Sequence, residues 1–262
     1  MTADATCRVR VPALARRARR GVALVLVLWL VVILGSIAAG IVSATRDSSH
    51  LAGNMRARAV ARYAAESGIE ATVAAIDDSL RLLTDSSARR DFLNALERRN
   101  AASAPNMLGD ARFAVAALDA SARLDVNAAP AENLARLFAN FTDPLRARAL
   151  ADAIRARIEP GDTRTITPLR SLEELREIVG DDRVLQLSAP YLTVDGDGTI
   201  NQASASAPVM SAAFGELRSA PSRLVLVSRG WMQGHPLSHE IQGVYAIASD
   251  RLVLVQWRER TL

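Results

Sequence analysis

With 262 residues, half of them hydrophobic and only 4% aromatic, the chain can carry an anchor and one or two modest cores. Its net charge of +4 does not mark a polyanion partner: six of the 32 basic and one of the 28 acidic residues lie in the first 21 positions, which leaves 26 against 27 beyond them. The single cysteine, Cys7, lies in the same leader, so the rest of the chain forms no disulfide and an exported domain must hold by packing alone.

The first predicted element is the one the chain hangs on. Four arginines within Arg16–Arg20 and then Gly21 lead into an uncharged run of 24 residues from Val22 to Thr45. At ~1.5 Å rise per residue a helix of that length reaches roughly 36 Å, enough for a hydrocarbon core of ~30 Å. A secretory signal has an apolar stretch of only ~7–15 residues followed by a small-residue cleavage site; here the run is longer and the change of character comes before it, at Arg20–Gly21. The arginines predict a cytoplasmic N-terminus.

Arg46 to about Leu83 keeps a helical pattern without proline. Leu51, Met55, Ala59, Tyr63, Ile69, Val73, Ile76 and Leu80 predict a core-facing stripe. Residues 85–110 are polar and broken by Pro105 and Gly109, with a short helix predicted at Asp91–Arg99. Arg112–Asp119 and Arg123–Asn127 read as a hairpin across Ala120–Ser121. Helices are predicted at Ala131–Ala139, Leu145–Ile158, Ser171–Val179 and Asp182–Leu187, marked off by Pro130, Pro144, Pro160–Gly161, Pro168 and Gly180. Ser171 with Glu174 has the spacing of a capping box. Extended segments follow at Tyr191–Val194 and Thr199–Gln202 across an Asp195–Gly198 turn, then a short helix near Pro208–Phe214. Three strands close the chain at Arg223–Gly230, Glu240–Ala248 and Leu252–Arg258, an antiparallel sheet fit to cover the long helix.

LDVNAAPAENL at Leu124–Leu134 recurs approximately as INQASASAPVM at Ile200–Met210, flanking the helical block. Such openings resemble helix-hairpin-helix modules, whose glycine turns bind DNA phosphates through backbone N–H groups. Here the first turn, Phe138–Asp143, has no glycine, and the second, Val179–Asp182, ends in two carboxylates, which argues against nucleic acid. Asp195 and Asp197 in Asp195–Thr199 (DGDGT) are candidate calcium ligands, although a third oxygen ligand and a closing Glu are missing and a polar turn accounts for the string better. His50, His235 and His239 form no compact set, and Ser204 and Ser206 lack a nucleophile elbow. No enzyme is expected.

The basic leader ending in glycine before an apolar helix resembles the prepilin-type signal of type IV pilins and type II secretion pseudopilins. That resemblance implies cleavage by a prepilin peptidase between Gly21 and Val22 and methylation of the new N-terminus. It places Leu26 at the fifth mature position, where most such proteins carry Glu; its absence is typical of K-type minor pseudopilins. With AESGIE at Ala65–Glu70, the two repeats and VLVQWRE at Val253–Glu259, the chain from about Arg16 onward resembles that K-type family (general secretion pathway protein K). The resemblance implies an α+β, pilin-like fold: a long N-terminal transmembrane helix packed on an antiparallel sheet, with an inserted all-α, helix-hairpin-helix/SAM-like domain. Its divisions would be a leader at 1–21, a transmembrane part at 22–45, a periplasmic pilin-like domain at 46–127 plus 200–262, and the insertion at 128–199. It further implies a single-pass protein of the inner membrane of a Gram-negative bacterium, capping a periplasmic pseudopilus. Its partners would be the I- and J-type minor components, with H-type and major G-type subunits beyond them. No cofactor is required, though some K-type relatives bind calcium near the Asp195 turn. The rival expectation is a membrane-anchored protein of DNA binding or uptake.

Overall fold

A computed structural model describes residues 15–101, 104–159, 166–180 and 182–262. The expectations placed on Cys7, Pro160–Gly161 and Asp181 lie outside them. The chain divides into two compact units, residues 1–55 and 56–262.

In the first unit the described residues belong to one helix, α1 (Ala15–Leu82), which continues into the second. From Val22 its apolar stretch is exposed, with a mean hydropathy of 2.9 in its most apolar window, long and apolar enough to cross a membrane. Such a helix meets all its backbone hydrogen bonds internally, which is the condition lipid imposes. Ser36 and Thr45 also turn their hydroxyls back onto the Val32 and Ile41 carbonyls.

In the second unit the sheet runs β1 (Asn106–Leu108), β2 (Ala111–Asp119), β7 (Arg223–Met232), β8 (Ser238–Ile247) and β9 (Leu252–Thr261), each antiparallel to its neighbour. The last three strands are those predicted from alternation. One face carries Leu224, Leu226, Ile241, Tyr245 and Leu252 against Ile69, Ile76 and Leu80 of α1 and Leu93 and Leu96 of α2 (Ser86–Ala101). Arg89 of α2 donates to the Leu80 and Leu83 carbonyls, covering the C-terminal end of α1.

The stripe that faces the sheet is not the one predicted. Ile69, Ile76 and Leu80 are buried as expected, but Leu51, Met55, Ala59 and Tyr63 are exposed, and Ala57, Ala61, Ala64, Ala65 and Gly68 face inward instead. The reason is close approach. A Cβ at Gly230 of β7 would run into the Ala61 carbonyl and the Ala65 N–H, and one at Gly68 into the Ser228 hydroxyl and, at 2.8 Å, the Phe113 ring. Backbone this near to backbone admits only small side chains, so the larger residues are left on the open side.

The predicted hairpin of 112–127 does not form. Asp119 ends β2 by accepting from the Ser121 and Ala122 N–H groups, which caps a 3-10 turn at Ala120–Ala122 and steers the chain off the sheet. The next segment, β3 (Leu124–Asp125), pairs in parallel with β4 (Leu192–Thr193). Likewise β5 (Ile200–Asn201) pairs in parallel with β6 (Leu217–Arg218). Between β3 and β4 lie α3 (Ala131–Phe138), α4 (Pro144–Ile158), α5 (Leu175–Val179) and α6 (Asp182–Ser188), and between β5 and β6 lies α7 (Ala207–Ser211). Asp143 caps α4 by accepting from the Arg146 N–H, and Glu174 completes the capping box on the Ser171 N–H ahead of α5. The core of this helical region holds Leu134, Leu137, Phe138, Ile154, Ile158 and Leu175, and it also draws in Leu124 and Val126 before residue 128 and Ile200, Val209 and Ala212 after residue 199.

Candidate functional site

The helical region joins the sheet through two turns that repeat one another. After β3, the Asp125 carboxylate accepts the Asn127 N–H, and the Asp125 carbonyl accepts from Ala129. After β5, the Asn201 side-chain oxygen accepts the Ala203 N–H, and its carbonyl accepts from Ala205. The residue following each side chain bonds across to the parallel partner: Val126 N–H to the Thr193 carbonyl, Gln202 N–H to that of Arg218. A helix follows in both cases. The approximate sequence repeat is thus a structural one: short strand, side-chain-closed turn, helix.

The two turns differ in what else they hold. At the first, Asn127 donates to the Leu169 and Val194 carbonyls and accepts from the Leu169 N–H, pinning two distant loops. At the second, the exposed Ala203 has no side-chain polar group to reach another loop; the work falls on Asn201, fully buried, whose amide donates to Asn94 of α2, Asp119 of β2 and Ser204. Burial pushes the Asp119 carboxyl up, against the hydrogen bonds from Asn201 and Ser121. Asp119, Asn201 and Asn94 were not singled out from sequence. The signal was available, since Asn201 aligns with Asp125 in the repeat.

The Asp195–Thr199 turn sits at the same junction. Asp195 is buried, and its carboxylate takes the Arg258 guanidinium at 2.7 Å and the Gln242 amide at 2.9 Å. Arg223 donates to the Gly196 carbonyl. Asp197 accepts from Thr199 and Ser222; partial burial works against its charge, but these hydrogen bonds outweigh it and hold its carboxyl below the usual range. A calcium ion needs six to eight converging oxygens. The donor set does not fit one: arginines supply the positive charge, the two carboxylates turn to different partners, and no group of three potential ligands occurs among the described residues. Beside Asp195 a cleft of about 520 Å³ opens between the sheet face at Leu118, Val225 and Val227 and the helical region at Leu172 and Leu192.

The remaining sequence candidates stay apart. His239 lies on β8 against Thr261 and Glu259 of β9, His235 accepts from the Leu237 N–H in a turn, and His50 is exposed on α1. Gly21 and Val22 lie within α1, and Leu26, 65% exposed, is part of its apolar surface. In the α5–α6 turn Gly180 is left-handed (φ 61°) and Arg176 pairs with Asp182 at 3.2 Å.

A long apolar N-terminal helix whose later turns lie on an antiparallel sheet, with a helical region between two sheet strands, is a pilin-like α+β fold. No protein-family model and no curated protein sequence matches the chain. Its structure is similar to a chain in the crystal structure of the GspK-GspI-GspJ complex from the enterotoxigenic Escherichia coli type 2 secretion system, with a TM-score of 0.59 and 13% identity over 82% of this chain and 99% of that one. At that identity the likeness is one of fold.

Proposed function

We propose that the chain is a K-type minor pseudopilin of a type II secretion system, a structural subunit and not an enzyme. The observation that carries this reading is the coverage: the fold matches 82% of this chain and 99% of a chain from the GspK-GspI-GspJ complex. The leader ending at Gly21 and the apolar helix behind it support the same reading independently. On it, a prepilin peptidase removes residues 1–21, the new N-terminus at Val22 is methylated, and the protein sits in the inner membrane with its N-terminus cytoplasmic. The I- and J-type minor components are its direct partners, with H-type and G-type subunits further along the fibre. Leu26 supports a position at the tip. A buried Glu there needs the amine of a subunit ahead, because an unpaired carboxylate in lipid costs several kcal/mol, and a tip subunit has none ahead of it.

The test expresses the full chain in a host carrying the matching peptidase and the I- and J-type subunits. The expected results are a mature mass starting at methylated Val22, loss of that processing in Gly21→Leu, and co-purification with both partners. A mature protein that retains Met1, or one that is processed but binds neither partner, defeats the proposal.

A further inference from the structure

The two edges of the five-stranded sheet are unlike. β1 is three residues long, follows Pro105 and ends at Gly109 in the left-handed region, a short edge with little to offer another strand. β9 at the other end is ten residues long and, among the described residues, pairs only with β8. Its Val253, Leu254 and Val255 are 43%, 52% and 48% exposed. Natural sheets usually blunt so long an apolar edge with charge, proline, a bulge or a covering element; β9 carries no charge or proline over its first four residues, Leu252 is covered by α1, and the pairing with β8 slips by one residue at Val255.

The backbone of that edge faces outward as well. The Leu252 N–H donates to Asp77 of α1 at 2.7 Å and not to β8. Alternation in an antiparallel ladder turns the Leu254 N–H the same way, two residues on. Alongside, α1 and the sheet leave a groove of about 460 Å³ with an apolar, aromatic floor at Val73, Ala74, Tyr245 and Trp257. Its rim is acidic. Asp78 is matched by Arg81 at 2.8 Å, but no hydrogen bond or ion pair involves Glu70 among the described residues, and it is exposed.

We infer that β9 accepts one extended strand from a different polypeptide, with apolar side chains toward the groove and an Arg or Lys where the strand passes Glu70. Main-chain hydrogen bonds to the open edge supply affinity and the groove reads alternate side chains, the usual division of labour in strand addition. The unpaired Glu70 selects the charge. A second copy is disfavoured because it brings the same acidic rim with it, and the short β1 edge stops the addition from propagating. The inference stands on the sheet alone and does not require the secretion reading.

The test uses the full chain in detergent and labelled peptides of about ten residues, alternating Val and Thr around a central Arg or a central Glu. The Arg peptide is expected to bind about tenfold more tightly than the Glu peptide and to slow amide exchange at 253–255. Glu70→Lys, an exposed change, should reverse that preference. Leu254→Pro, which keeps the β8 side of the ladder, should abolish binding; if it melts below the parent, the Glu70→Lys reversal decides. Absence of binding at millimolar peptide, binding without protection of 253–255, or equal affinity for both peptides overturns the inference. So does a concentration-dependent dimer that Leu254→Pro dissociates, which would assign the edge to a second copy.

Discussion

The turns at Asp125 and Asn201 share a backbone and a hydrogen-bond pattern, yet one is built on a carboxylate and the other on an amide. The surroundings explain the difference. Asp125 caps its turn mainly with N–H donors, including that of Asn127, so either side chain serves. Asn201 must accept from Ala203 with one atom and donate to the Asp119 carboxylate at 2.7 Å with the other, and only an amide does both. Two copies of one device have therefore become unequal in what they tolerate, and the inequality can be pushed.

The largest effect is expected from making the second turn resemble the first. Asn201→Asp sets two buried carboxylates against each other and takes from Asn94 the nearer of its two donors, and a loss of about 3–5 kcal/mol follows from leaving a buried charge without its partner. Thermal or denaturant melting measures it. A loss below about 1 kcal/mol would show that water reaches this junction and that the contrast between the turns is superficial.

Next comes the position two residues on. Asn127→Ala removes three hydrogen bonds to the 169 and 194 segments and leaves part-buried carbonyls unpaired, for a cost of about 2–3 kcal/mol. Its counterpart Ala203→Asn lies on exposed surface and should stay within about 0.5 kcal/mol of the parent. Equal costs for the two would mean that the loops near Asn127 are held by something else.

The smallest effect, and the one that sharpens the comparison, is Asp125→Asn. Burial raises the Asp125 carboxyl, with Asp197 adding to the rise and the Asn127 and Ala128 N–H groups and Arg223 opposing it. A folded chain that keeps this proton to higher pH is stabilised fully below the ordinary value of 3.8 and loses that contribution as pH rises through the raised folded value. Asn has no such titration. The variant should thus gain on the parent between acid and neutral pH, ending at or slightly above it near pH 7. Denaturant midpoints at both ends of the range check the sign; a variant that falls behind the parent as pH rises shows that the charge on Asp125 is needed.

The sequence by itself determined the elements whose pattern is set by a uniform environment. The apolar stretch from Val22 is legible because lipid demands length and apolarity and nothing else. The strands Arg223–Met232, Ser238–Ile247 and Leu252–Thr261 are legible because a sheet with one covered face enforces alternation. The helices of the helical region are legible from Pro144, the Ser171–Glu174 box and Gly180, local devices that need no distant partner. Tertiary structure alone decided the rest. Which face of α1 meets the sheet was set by the close approach at Gly68 and Gly230, where small residues win over the large ones that hydropathy weights most. Whether Arg123–Asn127 joins the sheet was set by Asp119, whose cap on Ser121 and Ala122 turns the chain away and frees Leu124 to pair with Leu192, 68 residues further on. Asn201 and Asp119 gain their importance only from meeting, and the Asp195 carboxylate meets the Arg258 guanidinium only because folding brings β9 beside its turn. A sequence pattern records the solvent each residue prefers, and these choices depended on which neighbours were already there.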